Sequence, residues 1–225
     1  MEYVFAPPAP PSLPVEGMTA RFPLRRILCV GRNYAEHARE MGHDPDREPP
    51  FFFAKPADAL VQHGAVIPYP PMTADLHHEA ELVVAIGTGG AHIAAGDALA
   101  HVFGYAAGND LTRRDLQAEA KAARRPWDMA KGFDASAVIG TLRPGATPPE
   151  GRIRCKVQGE PRQEAALSEM IWPVAGVIAH LSRLIVLAPG DVIMTGTPAG
   201  VGPIRQGETC VVEIDGLAPA AVTLR

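Results

Sequence analysis

The chain is short of the features that usually settle function early. Its three cysteines, Cys29, Cys155 and Cys210, are widely spaced in apolar surroundings and form no C-x-x-C pair. That excludes a disulfide framework or a cysteine zinc site and fits reduced core residues of a cytoplasmic protein. Charge of one sign is missing too: a net charge of −4 gives no electrostatic case for nucleic acid or an anionic membrane, and leaves small polar or acidic partners open. No run approaches the roughly 20 apolar residues that span a bilayer. The Pro-rich opening, Met1 to Pro14, lacks the early basic cluster and unbroken apolar run of a secretion signal. A cytoplasmic location is therefore expected. The glycine-rich stretch Thr195-Gly196-Thr197-Pro198-Ala199-Gly200-Val201-Gly202 lacks the lysine of a phosphate-binding loop. This removes a nucleotide site and leaves a ligand-lining loop or a plain turn.

What is present is a globular composition, 47% hydrophobic with 20% charged residues, in a chain long enough for one large domain or a main domain with a small appendage. The spacing predicts strands over residues 26–31, 51–53, 65–70, 104–110, 152–157, 163–166, 191–195, 209–214 and 220–224. Helices are expected over 33–41 with Asn33 as cap, within 94–103, over 115–125, and over 170–187 with Pro173 in the first turn. Many strands, few helices and no regular βαβ alternation predict a mixed α+β, β-rich fold rather than a doubly wound sheet.

The most informative stretch is His77-His78-Glu79-Ala80-Glu81, which runs into Leu82-Val83-Val84-Ala85-Ile86 and stops at Gly87. On a strand, Glu79 and Glu81 share a face. Two such carboxylates repel unless they are solvated, unless one is protonated, or unless a divalent cation lies between them. Asp110, after a glycine-weakened strand, either completes a Glu-Glu-Asp oxygen site for magnesium, manganese or calcium, or caps the helix that follows. His37 and Glu40 stand three apart on the expected helix, hence on one face. They are either a surface pair or a general base whose imidazole is made more basic by the carboxylate. Lys131, set among Trp127, Met129 and Phe133, is either an exposed lysine or an oxyanion-stabilising cation.

Taken in order, several segments resemble the fumarylacetoacetate hydrolase family over nearly the whole chain from about Arg25. They are Cys29 to His37, Lys55-Pro56, Leu76 to Glu81, Asp110-Leu111-Thr112-Arg113-Arg114-Asp115, Lys131-Gly132-Phe133 and Thr195 to Gly202. Within the family, the Pro-rich start, Pro49-Pro50-Phe51-Phe52-Phe53 and Asp115 to Lys121 are similar to the short acylpyruvate hydrolases, in particular bacterial fumarylpyruvate hydrolases of gentisate degradation. The resemblance implies a β-sandwich roll with a few flanking helices, an N-terminal extension over 1–24, a single catalytic domain over 25–225, and a homodimer. It implies one divalent cation, Mg2+ or Mn2+ with Ca2+ as a further option, held by Glu79, Glu81 and Asp110. It further implies His37 with Glu40 as base, Lys131 near the substrate oxygens, and Arg32, Lys55, Arg114, Gln117 and Thr197 on the pocket wall. The expected substrate is a 2,4-dioxo acid cut at a carbon–carbon bond. The alternatives are an oxaloacetate decarboxylase or aromatic-pathway isomerase/decarboxylase of the same family and, from another class, a non-catalytic metal or oxo-acid binding protein.

Overall fold

The computed structural model describes residues 2–36 and 49–225. Its centre is a mixed sheet whose neighbouring strands are Phe51–Lys55, Arg26–Gly31, Asp191–Met194, Ala80–Ile86, Val102–Asp110, Ala137–Ile139 and Leu60–Gln62, with Arg143–Pro144 added beside Val102–Asp110. A second sheet runs Glu160–Ala166, Arg152–Val157, Thr209–Ile214, Ala220–Leu224, Ala65–Ile67. A small third sheet joins Thr112–Arg113, Leu76–His78 and Gly202–Pro203. The expected β-rich architecture is therefore present, with three α-helices among the described residues: α1 (Arg114–Ala122), α2 (Asp128–Lys131) and α3 (Val174–Leu184).

The apolar run after Glu81 is continuous because both faces of its strand are buried. Ala80, Leu82, Val84 and Ile86 face a core shared with Ile153, Cys155, Val212 and Val222 of the second sheet, and with Val174, Val177, Ile178 and Leu181 of α3. Val83 and Ala85 face a second core with Ile27, Cys29, Ala106, Val192 and Met194, closed by Leu13, Val15, Phe22 and Leu24 from the N-terminal region. The short pair Ser12–Leu13 with Phe22–Pro23 holds those last residues in place. Burying one such Leu or Val contributes about 1.5–3 kcal/mol.

Several local expectations change. The acidic strand is interrupted: Leu76–His78 belongs to the small sheet, Ala80–Ile86 to the main one, and Glu79 lies at the junction. The helix expected within 94–103 is a single 3-10 turn, Ala98–His101, because Val102 and Phe103 are drawn into the strand that pairs with Ala80–Ile86. The helix expected over 170–187 is α3 alone. Met170 pairs with Tyr34 instead, and Pro173, without an N–H, flanks the helix rather than entering it. Asn33 is not a helix cap in its side-chain bonding: its Oδ1 accepts from Trp172 N–H at 2.7 Å, and its Nδ2 donates to Thr195 O and Trp172 O. Of the helix expected from Asn33 to Met41, Ala35 and Glu36 are helical. His37, Glu40 and the other residues of 37–48 lie outside the described residues. Cys155 and Cys210, far apart in sequence, sit on neighbouring strands with their sulfurs 3.4 Å apart, and all three cysteines are buried free thiols.

Candidate active site

Strand register brings the three expected carboxylates together. Glu81 continues the row Val83, Ala85 on the second-core face, and its cross-strand partner is Gly108. Asp110, two residues further along that strand, projects on the same face diagonally across from Glu81. Asp110 N–H donates to Glu79 O at 2.9 Å, which fixes the junction residue beside it. Glu79, Glu81 and Asp110 are all buried, and each offers a carboxylate oxygen within 4.8 Å of the others. Asp110 ends its strand and α1 begins at Arg114, so the helix-capping alternative is set aside.

Three negative groups in so small a volume need compensation. Lys131, at the end of α2 and buried, donates to Glu79 Oε2 at 2.7 Å and Asp110 Oδ2 at 2.8 Å. Burial opposes its charge, but Asp110 and Glu79 outweigh that and raise its pKa above the ordinary lysine value. The exposed-lysine alternative therefore does not hold. Lys55 pairs with Asp110 Oδ1 at 2.7 Å and also donates to Leu111 O and Lys131 O. Its side chain has no exposure, so it supports Asp110 from behind rather than forming pocket wall. Arg114 pairs with Glu79 Oε1 and donates to Gln117 Oε1 at 2.6 Å. Glu81 receives the Gly196 N–H at 2.8 Å. Burial, then Asp110 and Glu79, still push its pKa well up. A hard divalent cation relieves that excess of negative charge, and three buried carboxylate oxygens are the donors such an ion takes.

The glycine-rich stretch lies against Glu81 through Gly196 and reaches the cavity through Thr197. Gly196 has φ +95, and a Cβ there would come within 2.8 Å of the Asn33 Cβ, so this residue type is what allows its N–H to reach Glu81. Thr197 lines the cavity and is oriented by Gln163. The Gln163 Oε1 accepts from His78 Nδ1 and Ala80 N–H, and its Nε2 donates to Thr197 Oγ1 and Pro198 O at 2.8 Å each. Since Thr197 Oγ1 accepts that hydrogen, its own O–H remains available to donate. Burial holds the His78 pKa down, in keeping with a neutral ring that donates through Nδ1.

Above the carboxylates lies a cavity whose lining includes Arg32, Phe51, Phe53, Glu79, Glu81, Arg114, Gln117, Lys121, Trp127, Lys131 and Thr197. Arg32 is in the left-handed backbone region, φ 60, and its guanidinium lies 5.0 Å from the Phe51 ring centre. Such a conformation costs a non-glycine residue about 1–2 kcal/mol, a strain of the kind that collects at functional sites. Of the expected residues, the structure thus gathers Glu79, Glu81, Lys131, Arg32, Arg114, Gln117 and Thr197 at one cavity and buries Asp110 and Lys55 beneath it. Sequence reasoning missed Lys121, Gln163 and the aromatic wall of Phe53 and Trp127. Lys121 carried a legible signal: Arg114, Gln117 and Lys121 are spaced i, i+3, i+7, one stripe of a helix.

Comparison with known proteins agrees with this geometry. The family model described as "Fumarylacetoacetate (FAA) hydrolase C-terminal" matches residues 26–225. The chain is 39% identical over 188 residues to a fumarylpyruvate hydrolase of Ralstonia sp, covering 82% of this chain and 98% of that one. It is 40% identical over 196 residues to a mitochondrial oxaloacetate tautomerase of Arabidopsis thaliana, covering 86% and 87%. The crystal structure of fumarylpyruvate hydrolase from Pseudomonas aeruginosa, in complex with Mn2+ and pyruvate, superposes with a TM-score of 0.97 at 49% identity, covering 99% of each chain.

Proposed function

Because this chain belongs to the fumarylacetoacetate hydrolase family, we propose that it is a metal-dependent hydrolase that cuts a carbon–carbon bond in 2,4-dioxo acids, with fumarylpyruvate, released in gentisate degradation, as its substrate. The observation that carries this reading is the buried, converging trio Glu79, Glu81 and Asp110 at the floor of a cavity with a cationic lining. These three residues are the ligands in our reading, and Mg2+ or Mn2+ is the ion. When bound, the cation supplies the Lewis acidity that polarises the 2-oxo acid end of the substrate.

The remaining roles fall to the chain's own side chains. His37, supported by Glu40, takes a proton from water as the water oxygen adds to the distal carbonyl. Lys131 has three N–H donors; two are taken by Glu79 and Asp110, and the third is available to the oxygen that becomes negative. The bond between carbons 3 and 4 then breaks, its electrons passing to the pyruvate half, which regains a proton, while the acyl half leaves as fumarate. Thr197 and Gln117 orient the substrate by hydrogen bonds. A homodimer and a cytoplasmic location belong to the same proposal; among the described residues no helix is long and apolar enough to cross a membrane.

A second reading, an enol-handling reaction on oxaloacetate such as tautomerisation or decarboxylation, is supported by the name of the Arabidopsis relative. Such chemistry uses the same trio without consuming water. Pyruvate release from fumarylpyruvate, measured with Mn2+ and again with excess EDTA, decides between them. Metal-dependent release supports hydrolysis. No release, together with rapid conversion of oxaloacetate, supports the second reading, and neither activity leaves a binding protein.

A further inference from the structure

The cations lining the cavity are not equivalent. Arg114 and Lys131 are held by Glu79 and Asp110, so their charge is spent at the carboxylate end. Lys121 is different. Its ammonium lies 5.3 Å from the centre of the Trp127 ring, and among the described residues no hydrogen bond or ion pair holds it, Glu79 acting on it only from a distance. A partly buried cation without a counter-charge in contact is costly to keep. The cost is visible in its pKa, lowered to about 8 by burial and then by the neighbouring Arg114 and Arg32. An anionic group entering this end of the cavity would relieve it.

Position supports the same conclusion. Arg114, Gln117 and Lys121 form one stripe of α1 along the cavity wall. Seven residues of helix advance about 10 Å. Arg114 touches Glu79 at one end of that stripe. The six carbon–carbon bonds between the two carboxylates of an extended fumarylpyruvate, roughly 1.5 Å each, span about 7–8 Å after zigzag. Side-chain reach from the stripe covers the difference. The wall between is aromatic: Trp127 packs edge-on against Phe51 and Phe53, a surface suited to a flat unsaturated chain rather than a hydrated one.

We propose that Lys121 binds the far carboxylate of a dianionic acylpyruvate and is the residue that selects such substrates over those with a neutral acyl end. This rests on the hydrolase reading above, and the test separates the two. Lys121→Met and Lys121→Arg are assayed with fumarylpyruvate and with acetylpyruvate. Dissociation constants for fumarate and for pyruvate are measured on the same proteins by calorimetry, with and without Mn2+.

A charge-assisted hydrogen bond corresponds to about 10–100-fold in binding. Lys121→Met should therefore lower the ratio of kcat/KM for fumarylpyruvate over acetylpyruvate by at least about tenfold and weaken fumarate more than pyruvate, while Lys121→Arg restores most of both. Equal losses on both substrates, or no change in the fumarate constant, would overturn the assignment. If the unaltered protein cleaves neither acylpyruvate, the hydrolase reading fails by itself. The fumarate and pyruvate constants then still decide whether Lys121 is an anion site.

Discussion

Glu81→Gln is expected to change stability and metal binding in opposite directions. The Glu81 carboxylate is buried beside Asp110 and Glu79, and its pKa is well above the ordinary carboxyl value. A group whose folded pKa is raised contributes stability below its unfolded pKa and loses it as the pH rises towards the folded one. Without metal at pH 7, burying Glu81 therefore costs the folded state stability. Glutamine keeps the shape and an oxygen to accept the Gly196 N–H, but removes the charge. Relief of even one unit of upward shift corresponds to about 1.4 kcal/mol. For a chain of this length a gain of about 1–2 kcal/mol is a rise of roughly 2–8 °C in Tm. Thermal unfolding in EDTA should show this rise at pH 7 and its disappearance near pH 4, where the unaltered carboxyl is protonated in both states.

Adding Mn2+ should reverse the ranking. An ion that binds only the folded state at 100 times its Kd stabilises by about 2.7 kcal/mol. With one of three charged ligands neutralised, affinity is expected to fall by at least about 100-fold, since ligand charge sets cation affinity in oxygen sites. The unaltered protein should then gain several degrees and Glu81→Gln almost none. A Glu81→Gln protein that is less stable than the parent in EDTA, or that gains as much from Mn2+, would refute both the electrostatic account of the trio and its role as a cation site.

Three further outcomes are expected. His37→Ala should abolish turnover, by about 100-fold or more, while leaving the Mn2+-induced rise in Tm intact; retained turnover would remove His37 as the base. Asp191, whose buried carboxyl is bonded by Arg26, Ala188 N–H and Arg25, has its pKa held down by those partners against the effect of burial. A depressed folded pKa gives stability that is present above the unfolded value and is lost as the pH falls through the folded one, so Asp191→Asn should cost about 1–2 kcal/mol at pH 7, and the deficit against the parent should narrow steadily on acidification below about pH 4 in urea unfolding curves. Gly196→Ala forces a side chain into a left-handed position against Asn33. It should cost about 2–3 kcal/mol and also weaken Mn2+ binding in titration calorimetry, whereas unchanged Mn2+ affinity would dissociate the loop from the site.

The comparison of sequence with structure is most instructive at the interrupted acidic strand. Period-two alternation places Glu79 and Glu81 on one side, and they do converge, yet the chain changes sheets between His78 and Ala80. The alternation survives because Asp110 N–H and Asn109 Oδ1 bond the Glu79 backbone at that junction. The overlong helix over 170–187 has a different origin. Its apolar spacing is real, but Met170 and Leu187 spend their backbone bonds on Tyr34 and Gly90, partners more than a hundred and nearly a hundred residues away. Local pattern cannot distinguish an apolar residue that extends a helix from one that closes a distant bridge.

The sequence by itself determined the β-rich class, the two carboxylates at i and i+2, the Asp ending a glycine-bearing strand, and a glycine-rich loop, because these are short-range consequences of backbone period and residue type. Only the tertiary structure decided what the charges do. In sequence Lys131 is either an exposed or an oxyanion-stabilising lysine and Lys55 a pocket-wall residue, but the fold buries both against Asp110, one at the cavity and one beneath it. Lys121 is left at the cavity against the Trp127 ring, with no ion pair among the described residues. Coulombic and hydrogen-bonding energies depend on distances between residues remote in sequence, and those distances are set by sheet register and helix packing, which no local pattern encodes.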